Sequence, residues 1–208
     1  MTHTAPSSGA EATLEAATLL GRAVLAKRRF AKPYRHPILD SRLRAERTRD
    51  EAKLLAAARR AGVPVPILYD ADRLASTLAL ELVAGRTLEA QLEVDTPATR
   101  AARFATLGSF VARLHGAGLV HGDLTLRNIL VPDAASPASL VLLDFGLGGF
   151  SQESEPHGVD LHNLEEALEA VRSDGAELFA AFLAAYSWHG AAAALKRLAE
   201  IRERGRYR

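Results

Sequence analysis

Residues 119–131 read LVHGDLTLRNILV and residues 140–150 read LVLLDFGLGGF. Together they place Asp123, Asn128 and Asp144 in order, each beside a short apolar run of strand length. Phosphoryl transfer from a nucleotide needs a carboxylate near the acceptor hydroxyl and hard oxygen ligands for Mg²⁺. Two carboxylates and one amide, so ordered, supply that donor set. Either stretch alone could be an ordinary turn, whereas both together, in this order, are specific.

The same spacing appears in the protein-kinase pattern HRDLxxxN followed by DFG. There the first Asp positions the nucleophile, and the Asn and the second Asp hold metal. Asp123 is thus the expected catalytic base, and Asn128 and Asp144 the expected Mg²⁺ ligands. His121 is expected to pack and hydrogen-bond beneath the loop. Such a site also needs a cation for the ATP phosphates and a carboxylate to hold that cation. Lys27, at the end of an apolar run, and Glu51, in the middle of a long helix, are the candidates, with Lys32 and Glu46 as competing choices. GAEA, from Gly9, would then form the turn over the phosphates with Gly9, Ala10 and Glu11, although it lacks the GxGxxG glycines. The 64 residues after Asp144 contain no APE segment, so the peptide-binding region of an ordinary protein kinase is expected to be reduced or absent. His115, His157, His162 and His189 have no metal-ligand company and read as surface or core histidines.

Outward from this centre, hydrophobic spacing sets the organisation. Leu19–Phe30 suggests a buried strand, and no strand is convincing in the first eight residues. Ser41–Ala61 lacks Gly and Pro and reads as a long basic helix stopped by Gly62 and Pro64. Val65–Tyr69 and Leu78–Val83 suggest two strands around a turn, DADR. Phe104, Leu107, Val111 and Leu114 share one helical face, expected to pack in a core. Ile129–Val131 and Leu140–Leu143 suggest a hairpin. Leu161, Leu164, Leu168 and Val171 repeat the helical spacing, as do Leu178, Phe179, Phe182 and Tyr186, and a last helix is expected to reach Arg204. Strands first and helices later predict an α+β fold. Its form is bilobal: residues 1–84 make a small lobe with a β-sheet and an αC-type helix, and residues 85–208 a reduced helical lobe with a basic tail.

Composition narrows the class. The chain has 208 residues, 48% of them hydrophobic, and no cysteine, which removes disulfide frameworks, thiolate metal sites and cysteine nucleophiles. No apolar run reaches the ~18 residues of a membrane span, and Met1 to Ala10 lacks the pattern of a secretory signal. A soluble protein of the cytoplasm, with the nucleus also open to it, is expected. The formal net charge of +1 conceals segregation: residues 21–60 carry 13 basic and 4 acidic groups, and residues 196–208 carry 6 and 2. Two basic segments flanking an acidic middle can attract a polyanion.

The chain resembles the small atypical kinase subunit of the KEOPS (EKC) complex, the PRPK family. The marks are GAEA at Gly9, KRRF at Lys27, YRHPILD at Tyr34, RTRDEAKLL at Arg47, HGDLTLRN at His121, DFGL at Asp144, GVDLHNLEEA at Gly158 and the terminal RGRYR. YRHP and the RGR tail separate it from aminoglycoside-type phosphotransferases, which share HGDxxxxN. The resemblance implies dependence on ATP and Mg²⁺, slow autophosphorylation and ATPase activity. It further implies support of threonylcarbamoyl transfer to adenosine in tRNAs reading ANN codons, the transferase and other KEOPS subunits being partners. By position it implies Lys27 and Glu51 as the ATP-anchoring pair and Glu81 to Val83 as the hinge. It makes the helix around Arg42–Arg60 and the basic tail surfaces for tRNA or the transferase. Pro156 and His157 stand where the family commonly has Asp and Lys. Two other readings compete: a noncatalytic scaffold of the same complex, and a small-molecule phosphotransferase.

Overall fold

The computed structural model describes residues 7–8, 11–133 and 139–205. They form two compact units. The first runs to Ala56 and resumes over Pro66–Val83; the second takes Ala57–Val65 and everything from Ala84.

The first unit is an antiparallel sheet of five strands and most of one helix. β1 (Ser7–Ser8), β2 (Ala12–Leu19), β3 (Arg22–Arg29), β4 (Leu68–Asp72) and β5 (Thr77–Glu81) lie in the order β1-β2-β3-β5-β4. The strand expected within Leu19–Phe30 is therefore β3, and β2 is a further strand, paired with it along its whole length from Ala12↔Arg29 to Leu19↔Arg22. Leu20 and Gly21 close this hairpin, both at positive φ, as a two-residue turn requires if its twist is to match its strands. Two further expectations change. Ser7–Ser8 pairs with Thr13–Leu14 as a short strand. Asp70 and Asp72, read as turn residues, extend β4, and the chain reverses one step later, where Asp72 Oδ1 accepts from the amides of Leu74 and Ala75.

Helix α1 (Pro37–Arg60) begins four residues before the expected start, because Pro37 has the backbone angle of a first helical turn and no amide to lose. Its last turn, in the second unit, ends at Gly62 (φ +74), where the amide of Val63 reaches back to the carbonyl of Ala58. This is a glycine-closed helix end.

In the second unit, β6 (Gly85–Thr87) leads into α2 (Leu88–Leu92), capped by the Thr87 hydroxyl. Helix α3 (Pro97–Gly116) is capped by Thr96. Phe104, Leu107, Val111 and Leu114 are fully buried, the face their spacing anticipated. β7 (Leu119–Val120), β8 (Ile129–Pro132), β9 (Val141–Leu142) and β10 (Gly149–Phe150) follow; β8 pairs with β6 and β9, and β10 pairs with β7. The hairpin expected before Asp144 is β8–β9.

Three helices complete the unit: α4 (Ser154–Glu169), α5 (Gly175–Ala185) and α6 (Ala191–Gly205). Leu161, Leu164 and Leu168 are buried, whereas Val171, counted with them, lies past the end of α4 and is exposed. α5 packs closely on α3 because position 108 is glycine; a Cβ there would overlap the Phe182 carbonyl. Among the described residues no helix is long and apolar enough to cross a membrane.

Candidate active site

In the first unit, β3 presents Lys27 and α1 presents Glu51, and Lys27 Nζ lies 2.8 Å from Glu51 Oε1. Both side chains are almost fully excluded from solvent. Two opposite charges removed from water persist only when paired. Of the competing candidates, Lys32 Nζ lies over the Phe30 ring, 4.6 Å from its centroid, and Glu46 accepts from Arg42 on the exposed face of α1.

Gly9 and Ala10 lie outside the described residues. Glu11 is ion-paired with Arg47 of α1, whose guanidinium holds the Glu11 carboxyl below the usual range. Glu81 closes β5; its Oε2 accepts the Ile67 amide at 3.0 Å, and Val83 follows, half-buried.

The second unit carries the loop with His121, Asp123 and Asn128. Asn128 Nδ2 donates to Asp123 Oδ2 at 2.7 Å and to the Asp123 carbonyl at 2.8 Å. With its nitrogen so committed, the amide has Oδ1 for coordination. Asp144 follows β9 at φ +56, and its Oδ1 accepts the Gly146 amide. A left-handed aspartate is uncommon and costs free energy, a pattern typical of residues held for function. Mg²⁺ binds through one or two protein oxygen ligands together with substrate phosphates, which is the chemistry Asn128 and Asp144 offer.

His121 is structural, as expected. Its Nε2–H donates to the Leu143 carbonyl, next to Asp144, and its Nδ1 accepts the Asp123 amide. Burial holds it neutral by lowering its pKa, which suits this tautomer. Its ring also packs on Phe145. Gly122 has φ +80, and a Cβ would overlap the Leu147 carbonyl, so no larger residue fits at this step of the loop.

One residue that holds this geometry was not among the candidate site residues. Asp160 of α4 is fully buried and accepts from the amides of His121 at 2.7 Å and Gly122 at 2.8 Å. His115 Nε2 lies 3.2 Å from Asp160 Oδ2, and its Nδ1 shares a hydrogen bond of 2.7 Å with the Tyr186 hydroxyl. The signals for Asp160 were its place within GVDLHNLEEA, one of the marks of the resemblance, and its position beside Leu161 on the buried face of an apolar-periodic helix.

The family described as Lipopolysaccharide kinase (Kdo/WaaP) matches residues 13–186. A probable serine/threonine-protein kinase BUD32 homolog of Archaeoglobus fulgidus is 37% identical over 88% of each chain. The chain belongs to this kinase family and, within it, to the BUD32 group. Other relatives of the BUD32-group chain are named probable bifunctional tRNA threonylcarbamoyladenosine biosynthesis proteins. That of Haloquadratum walsbyi is 45% identical over 87% of this chain and 32% of its own length. That of Methanoculleus marisnigri is 45% identical over 96% of this chain and 35% of its own. The chain thus spans about a third of the bifunctional relatives it matches. In fold it is similar to Rio2 kinase of Chaetomium thermophilum in an ADP/Mg²⁺–phosphoaspartate complex, with a TM-score of 0.65 at 20% identity, over 99% of this chain and 71% of that one. The minimal kinase fold expected from the sequence is the fold observed.

Proposed function

We propose that the chain is an atypical serine/threonine kinase and ATPase that uses Mg²⁺-ATP as a subunit of a KEOPS-type complex. It would support threonylcarbamoyl modification of adenosine in tRNAs reading ANN codons, with the transferase on a partner subunit. The names of the bifunctional relatives support the pathway. The observation that supports the catalytic part is the buried Lys27–Glu51 pair. An assembly scaffold has no need to bury a charged pair, since apolar residues of similar volume would stabilise the fold as well or better.

In this reading Lys27, held by Glu51, receives the ATP phosphates, and the segment Gly9–Glu11 covers them. The backbone at Glu81 and Val83 receives the adenine. Asn128 and Asp144 hold Mg²⁺, which when bound neutralises charge on the phosphate oxygens. Asp123 orients the acceptor hydroxyl and takes its proton as the acceptor oxygen bonds to the γ-phosphorus. The bond to the bridging oxygen breaks, and ADP leaves. When water is the acceptor, the same steps are an ATPase. The expected setting is the cytoplasm.

The test follows labelled γ-phosphate from Mg²⁺-ATP in wild type and Asp144→Ala, with and without the partner transferase and tRNA. Turnover is expected to fall at least about 100-fold in the variant, and to respond to the partner or tRNA in wild type. Binding of the partner with no turnover in any condition would make the chain a scaffold.

A further inference from the structure

The Lys27–Glu51 pair has a third member. Arg29 stands two positions after Lys27 on β3 and so faces the same side of the sheet. Its Nη2 donates to Glu51 Oε2 at 2.7 Å while Lys27 takes Oε1, so each carboxylate oxygen is held by a different cation. The Arg29 and Glu51 side chains are 4% and 1% exposed. Two more guanidinium donors of Arg29, Nε and Nη1, are buried without a hydrogen-bond partner among the described residues.

Stability alone explains this arrangement poorly. Buried donors left unmet destabilise the fold, and an apolar side chain of similar volume would hold α1 against β3 without that loss. Other links already join α1 to the sheet's flanking segments. Arg47 pairs with Glu11, Asp40 accepts the Lys32 amide, and Arg44 bridges Asp40 and the Ser76 hydroxyl.

We infer that Arg29 is a positioning residue: by pinning the second oxygen of Glu51 it sets that carboxylate, and Lys27 with it, before nucleotide arrives. A carboxylate held by one cation can swing away with its helix, and the Lys–Glu pair of regulated kinases is controlled in that way. Glu51 cannot leave without stranding a buried guanidinium whose remaining donors already lack acceptors among the described residues. The pair is therefore constitutive, and α1 does not act as its switch. The consequence for ATP rests on the function proposed above; the latch itself is a property of the nucleotide-free protein.

The experiment compares wild type, Arg29→Met and Arg29→Lys in the full chain, with the partner transferase present for turnover. It measures thermal unfolding, KM for ATP, kcat, and hydrogen–deuterium exchange of α1 around Glu51. In Arg29→Met the melting temperature should hold or rise while KM for ATP increases about tenfold, as expected for removal of one charge-assisted hydrogen bond. kcat should change less, α1 amides should exchange faster, and Arg29→Lys should restore part of the affinity. A wild-type KM with wild-type exchange in Arg29→Met would overturn the inference, as would a loss of affinity no larger than the loss of folded protein. Should Arg29→Met fail to fold, wild-type exchange decides: equal protection of α1 with and without a nonhydrolysable ATP analogue supports the latch, and a large gain on adding it overturns the latch. If wild type binds no nucleotide, the ATP reading fails, while faster α1 exchange in Arg29→Met still supports the latch and unchanged exchange overturns it.

Discussion

His157 stacks on His115, with ring centroids 4.4 Å apart, and meets Trp188 edge-on at 5.3 Å. Its ring thus completes a buried aromatic stack. Burial, and then the neighbouring His115, lower its pKa to about 4. The unfolded chain titrates this group near 6.5. Below that pH the unfolded state binds a proton that the folded state refuses, so stability is fully present above about pH 6.5 and falls down to about pH 4. The loss from this residue is of the order of 3 kcal/mol. Denaturant unfolding from pH 7.5 to 4 should show this slope, and His157→Gln should flatten it by close to one proton. The part due to buried His121, also lowered, should remain. The sequence offered surface or core as alternatives for these histidines. The choice depends on Asp160, Tyr186 and Trp188, which adjoin His115 only after folding. Arg29 is a similar case: KRRF shows three cations in a row, and only strand alternation against α1 tells which of them are buried.

The hairpin of β2 and β3 marks the limit of element-level reading. Ala12–Leu19 is ATLEAATL, rich in helix-forming Ala, Leu and Glu. It is a strand because eight residues pair in register with β3, a gain that no local propensity reveals. By contrast α3 was legible, since its apolar spacing and its buried face coincide. The hairpin tip carries an unforced flaw. Leu20 is almost fully exposed at φ +49, a conformation that asparagine tolerates better than leucine. Leu20→Asn should stabilise the protein by about 1 kcal/mol, seen as a higher denaturation midpoint with an unchanged slope.

At the scale of the molecule, charge was read correctly as segregated, and folding redistributes its effect. The three arginines of α6 face acidic groups: Arg202 pairs with Glu165, Arg204 with Glu155, and Arg197 with both Glu155 and Glu200. Through Gly205 the C-terminal helix is thus largely neutralised by α4 and by itself. Lys53 and Arg60 of α1 remain exposed. If α1 contacts tRNA, as the resemblance implies, Lys53→Glu with Arg60→Glu should weaken tRNA binding by the assembled complex at low salt. It should also reduce the slope of log affinity against log salt by about 0.7–0.9 for each phosphate no longer neutralised. Binding with the wild-type slope would remove α1 from the tRNA surface.

The sequence by itself singled out Asp123, Asn128 and Asp144 as the candidate donor set, because their order and the apolar runs beside them are written along the chain. It determined the buried helical faces for the same reason, since apolar periodicity is written within one element. Tertiary structure alone decided that Asp160 holds the backbone of His121 and Gly122, that Arg29 shares Glu51 with Lys27, and that Ala12–Leu19 is a strand. These contacts join distant residues or depend on burial. Their free energy appears only when folding takes the groups out of water, where an unpaired charge or amide is costly and the partner becomes obligatory.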